Sequence, residues 1–262
     1  MAASTVPPPA PRSPSAASAS DGSRSPRRAL VRLYGVFLRH QLTWGRAAVI
    51  VVLGLMAMLV GVAIGAGADD EVTAGTEFVN NFAFTTVVPV CALMFASSAL
   101  GDTVDDRTLV YLWLTPVPRW KIAAAATLAS TTVALPLVFV PLVLAAAATT
   151  AGGALIGATA VATIVGTFGY AGVFVALGLR LKRALVWGIA YILIWEGFVA
   201  SASETAAKLS LRAYTASILS QYTGVGLRLG TLTLASSIAV PIVVGIGFTA
   251  LTAWLLTRVT VD

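Results

Sequence analysis

Long apolar runs with few charges recur along most of this 262-residue chain, and they restrict what it can fold into. The run at 47–66 contains no charged residue. About 20 apolar residues in a helix are enough to cross the hydrocarbon core of a bilayer. A soluble fold is excluded because only 11% of the residues are charged, against about 25% in soluble domains. The sequence predicts an all-α integral membrane protein with six transmembrane helices, at 47–66, 78–100, 122–148, 154–178, 184–203 and 232–256.

The basic residues predict how this bundle is oriented. With the N-terminus in the cytoplasm, the outer loops hold Lys208, Arg212 and Arg228, and the other fourteen of the 17 basic residues lie on the inner side. Short loops rich in Lys and Arg stay cytoplasmic, so we expect this orientation in the cytoplasmic membrane of a bacterium. Nucleic acid is not an expected partner, because the net charge of +6 flanks apolar runs and forms no basic domain. The inner residues are Arg12, Arg24, Arg27, Arg28, Arg32, Arg39, Arg46, Arg107, Arg119, Lys121, Arg180, Lys182, Arg183 and Arg258.

Two segments precede the first span. Residues 1–27 are rich in Ala, Ser and Pro, a composition that cannot bury a core, and they are predicted to form a disordered cytoplasmic tail. The transmembrane domain then covers 28–262. Over 28–46 the pattern predicts an amphipathic helix on the cytoplasmic face of the bilayer, with a cytosolic extension of the first span as the alternative. Its apolar stripe consists of Leu30, Leu33, Tyr34, Phe37, Leu38 and Leu42.

The segment 101–121, between the second and third spans, carries the most information. Its first half is rich in acids and is predicted to form a short helix, with Asp102, Asp105 and Asp106 near its N-terminus, where the helix dipole favours anions. Its second half is apolar and aromatic, but two prolines prevent one continuous helix. A rigid, partly apolar element of this kind suits docking onto a partner. An ordinary interfacial connector, with its charges in water and its Trp residues at the headgroups, fits the same residues.

This segment resembles the first cytoplasmic loop of ABC-2 type permeases, the membrane subunits of a class of ATP-binding-cassette exporters. The matching residues are Gly101-Asp102, Asp105-Asp106-Arg107-Thr108-Leu109 and Thr115-Pro116-Val117-Pro118-Arg119-Trp120-Lys121. The resemblance covers about residues 28–258, since the basic N-terminal helix, the six spans and the longer outer segment before the last span are similar too. In that family the loop contains a coupling helix that sits in a cleft of the ATPase subunit. The resemblance implies ATPase contacts at Asp102, Asp105, Asp106, Arg107, Tyr111 and Trp113.

The resemblance implies a permease subunit that couples ATP hydrolysis to substrate export. Its expected partners are a separate ATPase subunit, which holds ATP and Mg, a second permease copy or paralogue, and the lipid bilayer. We expect no cofactor and no enzymatic activity in this chain, because it lacks the Gly-x-x-x-x-Gly-Lys-Ser/Thr motif and has one histidine, His40, and one cysteine, Cys91. The alternative function is an ATP-independent secondary carrier or a membrane scaffold, with an intramembrane hydrolase in third place.

Two further features bear on transport. Glu196 is the one acid well inside a predicted span, where a carboxylate is costly and usually faces protein or water. It is either a candidate residue of a translocation path or a hydrogen-bond partner of a Ser, Thr or Tyr on a neighbouring helix. The outer segment 204–231 either re-enters the membrane or forms a surface loop. A short helix there would have one face formed by Leu209, Ala213, Ala216 and Leu219 or Ser220.

Overall fold

The computed structural model describes residues 26–41, 44–105 and 117–258, and within them every regular element is a helix. This agrees with the predicted all-α fold class. The predicted tail, 1–27, lies outside the described residues except for its last two, which begin the first helix. Nine-residue stretches of wider, π-helical turns interrupt two of the helices. The elements are α1 Pro26–Gln41, α2 Trp44–Gly67, α3 Glu71–Phe78, π1 Val79–Val87, α4 Val88–Asp105, α5 Arg119–Ala148, α6 Gly153–Arg180, α7 Ala184–Ala190, π2 Tyr191–Val199, α8 Ala200–Ala202, α9 Glu204–Ala207, α10 Leu211–Thr223 and α11 Leu234–Arg258.

Five helical stretches are long and apolar enough to cross a membrane, and they correspond to five of the six predicted spans. The fifth predicted span, 184–203, is not among them, since the apolar helix there is only Ala184–Val199. The helix stops because Ser203 adopts an extended conformation and its hydroxyl accepts a hydrogen bond from the amide of Ala206, which starts α9. The five long stretches are Trp44–Gly67, Glu71–Gly101, Arg119–Ala148, Gly153–Arg180 and Leu234–Arg258.

The segment between α2 and α3 is short and acidic, since only residues 68–70 separate the two helices. Glu71 is already the first residue of α3, and Asp70 caps the helix by accepting a hydrogen bond of 3.1 Å from the amide of Thr73. Hydrogen bonds from the Thr73 hydroxyl and amide hold the pKa of Asp70 below its ordinary value. An acidic residue at a helix N-terminus satisfies free amides and interacts favourably with the helix dipole.

Close approaches between helices define two ends of the bundle. At the turn end, residues 149–152 connect α5 to α6, and a Cβ atom on Gly75 of α3 would lie 2.9 Å from the Thr149 hydroxyl. At the loop end, where residues 106–118 connect α4 to α5, the Arg46 guanidinium of α2 donates a hydrogen bond of 2.9 Å to the Ser98 hydroxyl of α4. Neighbouring long helices in the chain therefore run in opposite directions.

The central helix is α6, because glycines on different faces of it allow three neighbours to approach closely. Gly166 faces Thr215 of α10, and Gly178 faces the backbone of α4 at Ser97. On a third face, a Cβ atom on Gly172 would lie 2.5 Å from the carbonyl oxygen of Gly245 in α11. Small residues at such contacts are the usual basis of helix packing in membranes. The outer helix α2 packs on α5 in the same way, through glycines that face the backbone of α5.

Wide turns in the second long stretch lie directly before Pro89. A proline lacks the amide hydrogen that would bond to the preceding turn. Here the helix adapts by widening over π1, where the amide of Val88 donates to the carbonyl of Ala83, five residues back. π-helical turns inside α-helices often mark functional positions, and π1 lies beside α10 and α6.

Two short helices take the place of the missing long one, and we call them together the broken helix (α7–π2 and α10). The first part has 7 residues in α7 and 9 in π2 and starts at the loop end, where Gly188 packs on Leu93. The second part, α10, has 13 residues. It begins beside Gly169, near the middle of α6, and runs toward the turn end. At about 1.5 Å per residue the two parts measure about 24 Å and about 20 Å, together enough for one long helix.

The N-terminal helix α1 turns its apolar stripe toward the bundle. Phe37 is buried, and the neighbouring stripe residues Leu33, Tyr34 and Leu38 pack against the core. At the end of α1 the buried Gln41 amide donates a hydrogen bond of 3.0 Å to the Ser130 hydroxyl of α5. The predicted amphipathic helix is therefore present, and its apolar face packs on protein.

Because α6 packs closely on its neighbours, replacing different glycines of this helix should change the stability of the protein by different amounts. Replacement Gly172→Ala should destabilise the protein by about 1–3 kcal/mol, because the new methyl group overlaps the backbone of α11. The matched control is Gly157→Ala, since a Cβ atom there meets nothing within 4 Å. Its effect should stay within about 1 kcal/mol. Unfolding in detergent measures both, and equal stability of the two variants would contradict the packing described here.

Candidate functional site

Glu196 lies deep in the protein, although it belongs to a helix that is exposed on its other side. Only 1% of its surface is accessible, whereas Phe198, two residues further, is 80% exposed. A buried carboxylate is costly unless hydrogen bonds compensate it. Its partners therefore determine what this residue can do.

Four donors surround the two carboxylate oxygens of Glu196. The hydroxyl of Tyr191 donates at 3.0 Å from within π2, and the hydroxyl of Ser210 donates from the end of the connecting segment. The backbone amides of Leu211 and Arg212 each donate at 3.2 Å. These two amides are the first of α10, so the carboxylate of one part of the broken helix caps the other part. A helix N-terminus has free amides and a positive dipole end, both of which favour such a partner.

The same N-terminus is tied to π1 through an arginine. The Arg212 guanidinium donates a hydrogen bond of 3.4 Å to the side-chain oxygen of Asn81, which also accepts one of 3.3 Å from the Asn80 amide. π1, π2 and α10 thus meet at one place. We call this cluster, formed by Asn81, Tyr191, Glu196, Ser210 and Arg212, the polar junction.

Aromatic rings connect the polar junction to the central helix α6. The ring of Tyr191 packs edge-on against Phe174, with 6.1 Å between centroids, and Phe174 stacks on Tyr170 at 5.8 Å. Tyr170 is buried and interacts electrostatically with Glu196 and Arg212. The junction is thereby fixed against α6 as well as within the broken helix.

A largely apolar cavity of about 440 Å³ lies next to the junction, between π2, α10 and α11. Its walls include Trp195, Leu211 and Phe248, and Lys208 is its one charged residue. The Lys208 carbonyl accepts a hydrogen bond of 2.7 Å from the hydroxyl of Tyr214, which also lines the cavity. This volume could take part of an apolar molecule, and Lys208 could accept an anionic group.

The segment 204–231 proves to contain a buried helix. Ala213, Ala216 and Leu219 of the predicted face are fully buried in α10, as expected, but Leu209 is 67% exposed and precedes the helix. The helix ends at Gly224, which has a φ of 74°. The sequence predicted a Ser, Thr or Tyr partner for Glu196, and Ser210 and Tyr191 are such partners, but it did not predict the backbone amides of α10. Ser210 was the available signal, because serine directly before an apolar helix is a common N-terminal cap.

The candidate ATPase contacts fall largely outside the part of the chain that the structure describes. This holds for Asp106, Arg107, Tyr111 and Trp113. Asp102 and Asp105 are at the C-terminal end of α4, which corrects the prediction that they lie near the start of a short helix. The long helix continues past Gly101 to Asp105, and a Cβ atom on Gly101 would lie 3.5 Å from the carbonyl oxygen of Gly178.

The fold and the junction define a class of protein: an all-helical, multi-pass membrane protein with a polar contact in its interior. Comparisons with protein-family models, curated proteins and solved structures find no match. In the described ranges no group of three or more His, Cys, Asp or Glu residues could hold a metal ion. Tyr191, Ser210 and the first two backbone amides of α10 donate to a single carboxylate, an arrangement that joins helices.

The junction predicts that Glu196→Gln destabilises the protein by about 1–3 kcal/mol. A glutamine retains one acceptor oxygen, but its amide group donates and would leave buried donors without a partner. The matched control is Glu204→Gln, because Glu204 is exposed on the nearby α9. Chemical unfolding in detergent compares the two variants. If Glu196→Gln unfolds at the same denaturant concentration as Glu204→Gln, the carboxylate does not hold the broken helix together.

Proposed function

We propose that this chain is the transmembrane permease subunit of an ABC exporter, which couples ATP hydrolysis by a separate ATPase subunit to movement of a substrate across the cytoplasmic membrane. The observation that carries the proposal is the acid-rich and aromatic segment 101–121. This segment resembles the coupling loop of ABC-2 type permeases and connects two long apolar helices at one end of the bundle. The missing nucleotide-binding motif agrees with a partner that supplies ATP hydrolysis.

Charge distribution supports a cytoplasmic position of the loop end. Basic residues near this end include Arg46, Arg180, Lys182 and Arg183, whereas the acidic Asp70 lies at the other end. By the positive-inside rule the N-terminus is then cytoplasmic. In this proposal the broken helix provides the sixth crossing, and α1 lies near the inner membrane surface with its apolar face on the bundle.

The proposed mechanism is mechanical. Two permease copies, or one copy and a paralogue, surround a path, and two ATPase subunits bind at their loop ends. ATP binding moves the segment 101–121, and this motion reaches the bundle through α4 and α5. Because α4 packs on α6 through Gly178, a shift of α4 also displaces the central helix. Transport then follows from different affinities of the ATPase for two conformations of the permease.

A specific observation favours a second candidate function, an ATP-independent secondary carrier. Such carriers often bind their substrate where two half-helices meet near the middle of the membrane. The polar junction is a meeting point of this kind, with a buried carboxylate at the start of α10. The exporter remains the leading proposal because a carrier has no need for the segment 101–121.

Affinity purification in mild detergent tests the proposal directly. We expect a stoichiometric partner whose sequence contains Gly-x-x-x-x-Gly-Lys-Ser/Thr, identified by mass spectrometry. A known permease–ATPase complex purified in parallel shows that the conditions preserve such assemblies. Recovery of the chain alone, while the control complex stays intact, would replace the exporter with the carrier.

A triple replacement, Asp105→Asn, Asp106→Asn and Arg107→Gln, should leave the protein inserted but uncouple ATP hydrolysis from transport. The change removes three charges from the proposed ATPase contact. The measured quantity is the ATP hydrolysis rate of the partner with and without the permease in lipid nanodiscs.

The matched control replaces the acidic group at the other end of the bundle, Asp69→Asn, Asp70→Asn and Glu71→Gln. Asn caps a helix about as well as Asp, so α3 should persist and the hydrolysis rate should equal that of the unmodified complex. An unchanged rate in both triple variants would count against ATPase docking at 101–121.

A further inference from the structure

Four buried polar atoms near the polar junction make no hydrogen bond to the protein. They are distributed over π1, α6 and α10, the elements that enclose one layer of the interior. Leaving a buried donor or acceptor unpaired is costly. The atoms are the side-chain oxygen of Asn80, the hydroxyls of Thr163 and Thr167, and Nε of Arg212.

The two threonines differ from the other hydroxyl residues of the long helices. The hydroxyl of Thr159, one turn earlier in α6, bonds to the carbonyl of Leu155 at 2.7 Å. Thr131 and Thr252 bond back in the same way, at 2.8 Å and 2.9 Å. Thr163 and Thr167 are fully buried but make no such bond. Since their own helix does not satisfy these hydroxyls, their partner must lie elsewhere.

The unpaired groups of α6 share one face of the helix. Thr163 and Thr167 are four residues apart, and Tyr170, whose hydroxyl lies beside Glu196, follows three residues later, which places all three in one stripe. This stripe lies between Gly178, which faces α4, and Gly166, which faces α10. At its loop-end side the stripe reaches the polar junction, because Tyr170 interacts electrostatically with Glu196.

The hydrogen-bond donors and acceptors of these groups indicate which partner fits them. Hydroxyls donate and accept, the Asn80 oxygen only accepts, and Nε of Arg212 only donates. A cation would meet the positive charge of Arg212, while the Glu196 oxygens already accept four hydrogen bonds. Water donates and accepts in any combination, and buried water typically makes about three hydrogen bonds to such groups.

We propose that this layer, between α6, π1 and α10, binds a cluster of water molecules that hydrogen-bond to Asn80, Thr163, Thr167 and Arg212. These water molecules hydrate one side of the polar junction. They also provide hydrogen-bond partners beside π1 that can exchange. The inference does not depend on the proposed ABC function, because it rests only on the buried groups and their positions.

Valine replacements test the proposal by thermal unfolding in detergent. Valine matches threonine in shape but has no hydroxyl, so Thr163→Val and Thr167→Val should each lower the melting temperature by removing a site that water satisfies. Thr159→Val is the matched control, since its hydroxyl has a known partner in the same helix. A rise in melting temperature at 163 and 167 would overturn the proposal, because removing a dry, unpaired hydroxyl stabilises a protein.

Radiolytic hydroxyl-radical labelling tests the unmodified protein, so it does not depend on variants that fold. Radicals formed from buried water react with adjacent side chains. Tyr170 should be modified severalfold faster than Phe95, an aromatic residue of α4 that is buried to the same extent at 1% exposure. Equal, slow modification of both rings would show that the layer is dry and would overturn the proposal.

Discussion

The contact between the Glu196 carboxylate and the first amides of α10 determines how the interior of this protein is built. A helix that starts inside the bundle has free amides that no water-exposed loop can satisfy. The carboxylate supplies acceptors for two of them and takes further hydrogen bonds from Tyr191 and Ser210. In turn, the amides and hydroxyls make burial of the acid tolerable. Each part of the broken helix therefore requires the other.

Close packing around α6 holds this arrangement in place. Leu211 and Thr215 lie against Gly169 and Gly166, so α10 can approach the central helix only because those positions lack side chains. If α10 were further away, its N-terminus could not reach both Glu196 and the ring stack that begins at Tyr170. The small residues of α6 thus set the distances on which the polar contacts depend.

The sequence predicted the long apolar helices, because hydropathy follows the length of an apolar run. It did not predict which residues distant in the chain contact each other. An uncharged run as long as 47–66 predicts a long apolar helix, and α2 is one. The region 184–203 is also largely apolar, yet its helix ends early because Ser203 starts a new one through a local hydrogen bond that hydropathy does not measure. Glu196 was recognisable as an unusual buried acid. Its partner at Leu211 was not, because a backbone amide carries no signal in the sequence.

π1 belongs to the long helix that leads from the segment 101–121 to the polar junction, the two parts of the chain on which the proposed functions rest. π1 and α4 form one continuous helix, so any displacement of the 101–121 segment acts along that helix toward Asn81, which accepts from Arg212. A π-helical stretch differs from an α-helix by the register of its hydrogen bonds, and a change of register would rotate Asn81 relative to Arg212. The same connection would serve both the proposed permease, driven by an ATPase, and the alternative carrier, in which the substrate would move the junction first.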